Sequence, residues 1–257
     1  MKSTTLLVPL PSHGYDPTEA AIPWQLLSGK HIQVTFATPD GRQASADNIM
    51  LTGKGLGIWK PVLRTRRDAI AAHRHMLNSN AFKNPRSYEQ VQEQEFDALL
   101  LPGGHDKGVK EYLESTVLQQ LVVDFFRADK PVAAICHGVV LAARSIDPAT
   151  GKSVLYDYHT TALLKSQEML AYKLTRLWLK DYYLTYPEIT VEDEVTQALS
   201  NSNNFQLGPR PVLRDSPEQL QHGFALRDRN YLSARWPGDA YTFSGQFAAM
   251  LENNADG

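Results

Sequence analysis

The apolar positions of the chain follow two rhythms. Short, nearly unbroken runs at residues 4–10, 96–101 and 132–135 have the length and content of strands buried on both faces, and residues 31–38 read as a further strand. Between them, apolar residues recur at three- and four-residue spacing. Val117, Leu118, Leu121, Val122 and Phe125 form one such stripe, with Ser115 at the capping position ahead of it. Residues 18–27 read as another helix, with Asp16 placed to cap it, Pro17 at its first turn and Pro23 set to kink it. Strand, helix and strand in alternation predict parallel pairs joined by right-handed crossovers, an α/β protein with helices on both faces of the sheet.

The rest of the pattern is less regular. Residues 224–227 and 231–234, around Asp228-Arg229-Asn230, read as a hairpin, and residues 240–251 as a last helix capped by Asp239. Residues 153–156 read as a further short strand. Residues 68–77 and the long apolar series at 160–183 are helix-compatible, and Glu192, Asp193 and Glu194 open another helix where early acids suit the macrodipole. These stretches predict helical insertions, about residues 51–94 and 159–221, in a single domain spanning 1–257. Insertions that follow strand C-termini border the site in such sheets, so they are expected to wall the cleft, with Trp178 and Tyr182 either lining it or packing an added helix.

Composition narrows the partners. A net charge of −2 points away from nucleic acid and anionic membranes. The one cysteine has no partner for an internal disulfide, which suits a reducing cytoplasm, and no apolar stretch reaches membrane-spanning length. Gly53-Lys54-Gly55-Leu56-Gly57 lacks the Gly-Lys-Ser/Thr of a phosphate-binding loop. His73 and His75, two residues apart on a helix, diverge and do not make a metal pair. No metal or cofactor is expected.

That cysteine is Cys136, with His137 beside it. It stands where the run at 132–135 ends and a helix-compatible stretch begins at Gly138. A strand turning straight into a helix lifts one side chain out of the sheet, as in the nucleophile elbow, and a helix start favours a thiolate. A cysteine after an apolar strand is more often a small buried hydrophobe. Some thirty residues earlier, however, the run Leu99-Leu100-Leu101 closes in Pro102-Gly103-Gly104-His105. Leu-Leu-Pro-Gly-Gly-His followed by Ala-Ile-Cys-His-Gly resembles the ThiJ/PfpI superfamily, relatives of class I glutamine amidotransferase domains. The resemblance covers residues 4–50, 95–158 and 222–251.

The resemblance implies a flavodoxin-like, mainly parallel sheet sandwiched by helices, and a site around Cys136 as nucleophile. It places Glu19, followed by Pro23, beside the thiol, and assigns the backbone N–H groups of Gly104 and His137 to an oxyanion. The Cys-His-Gly order is similar to the larger glyoxalase and stress-chaperone branch, in which an acid further on orients the adjacent histidine. Glu168 is the best match for that acid, ahead of Asp157 and His159. His105 either faces the same cleft or is a solvated loop residue. The implied function is a cofactor-independent enzyme acting on a small carbonyl compound, a glyoxalase or deglycase. A stress chaperone or redox sensor with an oxidisable Cys136 is the rival, and a peptidase or amidase hydrolase the third reading. A cytoplasmic homodimer is the expected assembly.

Overall fold

The computed structural model describes residues 3–255. Its centre is a seven-stranded sheet of β1 (Thr5–Pro9), β2 (Gln33–Thr38), β3 (Arg86–Ser87), β4 (Ala98–Leu101), β5 (Val132–Ile135), β6 (Ala225–Asp228) and β7 (Tyr231–Ala234). The spatial order is β6-β7-β5-β4-β1-β2-β3. Every neighbouring pair is parallel except the β6-β7 hairpin. The mainly parallel sheet expected from the sequence is therefore present.

The continuous apolar runs are explained by which face each residue supplies. Leu6, Val8, Leu100, Ala133 and Ile135 pack on one side of the sheet, under α1 (Pro17–Ser28), α2 (Arg67–Asn78) and α7 (Ala240–Ala255). Leu7, Leu99, Leu101, Val132 and Ala134 pack on the other, under α3 (Thr116–Arg127), α4 (Gly138–Arg144) and α6 (Val191–Gln197). Side chains alternate between faces with period two, and both faces are covered, so neither parity can be polar. Truncating a fully buried member such as Leu100 to Ala should remove about 2–5 kcal/mol of stability.

Asp16 caps α1 as expected, accepting the N–H groups of Thr18 and Glu19 at 2.7 and 3.1 Å, and Pro23 lies inside that helix. Two local expectations are corrected. Residues 152–153 pair antiparallel with 146–147 in a small ribbon outside the main sheet, because the turn at residues 148–151 folds the chain back on itself. Asp239 does not act as a simple helix cap. Its carboxylate is fully buried and takes the Arg235 guanidinium at 2.9 Å on each oxygen, since a buried Arg235 needs a counter-charge.

The first insertion region reaches the core through one face of α2: the helix packs against α1, and His73 is buried with a ring nitrogen 2.9 Å from the Tyr15 hydroxyl. The second region supplies α5 (Lys165–Leu179) and α6. Trp178, at the end of α5, donates its indole N–H to Gly55 O at 2.6 Å and ties the two regions together. No described helix is long and apolar enough to cross a membrane.

Candidate active site

β5 delivers Cys136 into a sharp turn. Its φ is 57°, in the left-handed region that L-residues other than glycine enter at a cost of order 1–3 kcal/mol. Its neighbours in the chain and the sheet hold it there: Cys136 N–H donates to Ala234 O on β7 at 3.0 Å, and α4 starts two residues on. The turn also depends on close backbone approach. A methyl on Gly138 would overlap the Leu101 carbonyl, and one on Gly103 would sit 2.6 Å from His137 N and 2.8 Å from a Glu19 oxygen. The Pro-Gly-Gly turn after β4 and the elbow after β5 are thus pressed together at the C-terminal edge of the sheet, the edge where open α/β sheets place their sites.

Glu19 enters from the first turn of α1 and is fully buried. Its Oε2 accepts the Gly103 N–H at 2.9 Å. Oε1 is buried without a hydrogen-bond partner, and the Cys136 thiol is the neighbouring side chain that draws the carboxyl toward ionisation. Burial, reinforced by the nearby Asp16, pushes the Glu19 carboxyl well above the usual carboxylate range. Burial also pushes the Cys136 thiol up, and ionised Glu19 and Asp16 act in the same direction. This opposes the easily ionised thiol that a helix start alone predicts. A Glu19 that keeps its proton, however, carries no charge against the sulfur and can donate to it.

The His137 ring is placed by two contacts. Nδ1 lies 3.4 Å from Cys136 Sγ, and Nε2 lies 2.9 Å from Thr185 Oγ1. Thr185 Oγ1 also donates to the His105 carbonyl at 2.9 Å. A threonine hydroxyl has one proton, and a carbonyl can only accept it, so Nε2 must be the N–H that donates to Thr185. Nδ1 is then the bare nitrogen and faces the sulfur. Burial, with the charges of His105 and Arg144 behind it, lowers the proton affinity of this ring to about pKa 3.

Glu168 stands elsewhere. It is buried and accepts the Val191 N–H at 3.0 Å, tying α5 to the start of α6. No hydrogen bond or ion pair joins it to His137 among the described residues; Thr185 holds the ring instead. Asp157 and His159 are exposed, their backbones bonded to Arg229 and Asp228. His105 does face inward: its ring stacks on Tyr183 with centroids 4.6 Å apart, meets Tyr182 edge-on at 4.8 Å, and puts Nε2 3.6 Å from Asp47 Oδ2. Tyr182 therefore borders this group of residues, whereas Trp178 remains 45% exposed at the surface.

A profile described as ThiJ/PfpI family-like matches residues 10–209. The chain belongs to the ThiJ/PfpI family. Within reach of this family lies a deglycase of Thermococcus kodakarensis, 34% identical over 167 residues, covering 64% of this chain and 68% of that protein. A glutathione-independent glyoxalase of Schizosaccharomyces pombe is 25% identical over 153 residues, 59% of this chain and 60% of the other. Among solved structures, glyoxalase III from Candida albicans superposes with a TM-score of 0.66 at 17% identity, over 96% of this chain and 97% of that one. The rapid encystment protein of Francisella tularensis superposes at 0.68 with 18% identity, over 96% and 99%. At these identities the structural matches establish the shared sheet and helix layout.

Thr185, Asp47 and the Tyr182-Tyr183 pair were not singled out together by the sequence. Thr185 lies 48 residues beyond His137, in a stretch with no periodic signal, and only the fold brings it back.

Proposed function

We propose that this ThiJ/PfpI protein is a cofactor-independent enzyme that uses the Cys136 thiolate on small carbonyl compounds, of the glyoxalase or deglycase kind. The observation that carries the reading is convergence: a buried carboxyl and a bare imidazole nitrogen meet one sulfur at a strained elbow. The names of the Schizosaccharomyces and Thermococcus relatives support the substrate class.

With a 2-oxoaldehyde the chemistry closes without an external oxidant. The thiol proton passes to His137 Nδ1 as the sulfur bonds to the aldehyde carbon. The carbonyl pair becomes an oxyanion beside the Gly104 and His137 N–H groups, giving a hemithioacetal once protonated. Glu19 or His137 moves the proton from that carbon to its neighbour through an enediol, leaving a thioester of a 2-hydroxy acid. Water hydrolyses the thioester, releases the acid and restores the thiol. Thr185 keeps the imidazole in the required tautomer, the positioning task that Glu168 was expected to perform.

Steady-state turnover of methylglyoxal without glutathione tests this. The wild type should produce lactate, and Cys136→Ser should lose nearly all of it; equal activity in both would refute the role of the thiol. The same reading carries a cytoplasmic homodimer, for which a monomer mass by light scattering would be the contrary result.

A second reading rests on surface apolarity. Ile58, Val62 and Leu177, in the two inserted regions, are 82%, 63% and 87% exposed. Such side chains suit a chaperone that binds unfolded segments. A chaperone would suppress aggregation equally in the wild type, Cys136→Ser and His137→Ala, with no aldehyde turnover in any of them.

A further inference from the structure

We propose that His105, oriented by Asp47, is a second acid-base group of this site and exchanges a proton with the substrate's carbonyl oxygen. The inference rests on the enzyme reading above and assigns a role that neither the elbow nor Glu19 fills.

Four features of the geometry point to it. First, the ring is clamped. Tyr183 stacks on it with only 18° between planes, Tyr182 closes its edge, and the Tyr182 hydroxyl donates to Asp47 Oδ2. Second, one nitrogen faces a carboxylate. Nε2 is buried without a hydrogen-bond partner and lies 3.6 Å from Asp47 Oδ2, while Asp47 Oδ1 is occupied by the N–H groups of Ile49 and Met50. Third, the other nitrogen is free. Nδ1 has no hydrogen-bond partner among the described residues and, unlike Nε2, is not sealed from solvent. A carboxylate facing one ring nitrogen and an open second nitrogen is a placement from which a histidine can give and take a proton.

Fourth, the ring belongs to the Cys136 site. His105 follows Gly104 directly, its carbonyl accepts from Thr185, and Thr185 holds His137. The charged and titratable groups facing it are Asp47 from the segment before residues 48–52, Asp16 from the start of α1, His137 from the elbow, and Tyr182 and Tyr183 from the segment after α5; behind them lie Asp106, which acts on Tyr182, and Arg214, which acts on Asp16 and Tyr183. Among these, His137 is already engaged, with the thiol through Nδ1 and with Thr185 through Nε2, and has no carboxylate beside it. His105 has one.

The step balances. As sulfur bonds to the aldehyde carbon, the C=O pair moves to oxygen and takes a proton from the doubly protonated His105 ring at Nδ1. When the thioester forms, that oxygen returns the proton to Nδ1, so His105 ends as it began.

The test compares wild type, His105→Gln and Asp47→Asn, the last keeping the Oδ1 acceptor for Ile49 and Met50. Each is assayed for methylglyoxal kcat and KM across pH and for alkylation of Cys136 by iodoacetamide. His105→Gln should lower kcat by about 10²–10⁴. It should also erase one ionisation from the kcat/KM profile while Cys136 still alkylates. Asp47→Asn should lower kcat less. Wild-type turnover that His105→Gln leaves unchanged in kcat and pH profile overturns this proposal alone. Absence of wild-type turnover overturns the enzyme reading and this proposal with it.

Discussion

Thr185→Val tests the link between Thr185 and the elbow. Valine matches threonine in shape and removes only the hydroxyl, which is buried and makes two hydrogen bonds of 2.9 Å. The loss exceeds the net worth of two bonds, because it strands the His137 Nε2–H and the His105 carbonyl in the interior. Each such orphan is worth about 1–3 kcal/mol, so the variant should lose about 2–4 kcal/mol after partial relaxation. Without a fixed acceptor for Nε2–H, the ring also loses its tautomer, and a proton on Nδ1 would face the sulfur. Losing the hydrogen-bond partner behind a metal-bound imidazole lowers activity about 10- to 100-fold, and a loss on that scale is expected here. Urea denaturation at constant m-value measures the first effect and methylglyoxal kcat the second. Thr185→Ser, which restores the hydroxyl, should recover most of both. If Thr185→Val keeps wild-type kcat, or if Thr185→Ser is as impaired as Thr185→Val, the tautomer argument is wrong.

Two further outcomes follow from the buried carboxyls. Glu168 is raised by burial from 4.5 to about 7. A carboxyl that holds its proton more tightly when folded weakens the fold as pH climbs from the unfolded value to the folded one, and the loss is complete above it. Glu168→Gln should therefore lose less stability between about pH 4.5 and 7, by at most roughly 3 kcal/mol, and urea melts that change in parallel for both proteins would contradict this. Glu19→Ala should slow iodoacetamide alkylation of Cys136 near neutral pH, because a protonated carboxyl donating to the sulfur is lost; faster alkylation would mean that Glu19 is charged and opposes the thiolate.

The sheet and its flanking helices were legible because covering both faces forces unbroken apolar strands, as in Leu99-Leu100-Leu101, and one apolar stripe per helix, as in Val117 to Phe125. The elbow was legible for a local reason: a four-residue strand, one cysteine and a glycine mark a turn with no spare residue. The environment of the elbow was not legible. Lys180, with φ 53°, breaks the chain out of α5 and turns Tyr182, Tyr183 and Thr185 back over the Pro-Gly-Gly loop. No periodicity encodes that reversal. The preference for Glu168 came from family pattern, and its Val191 N–H partner can be seen only once α5 and α6 are side by side. Nor does the sequence register that burial raises the thiol where a helix start alone would lower it.

The most direct measurement is rapid-quench mass spectrometry of the wild type mixed with methylglyoxal. A covalent adduct of one substrate molecule should appear on the Cys136 peptide before lactate accumulates, and should be absent in Cys136→Ser. Lactate formed with no adduct on Cys136, or with adducts confined to lysine and arginine side chains, would contradict a reaction carried by that sulfur.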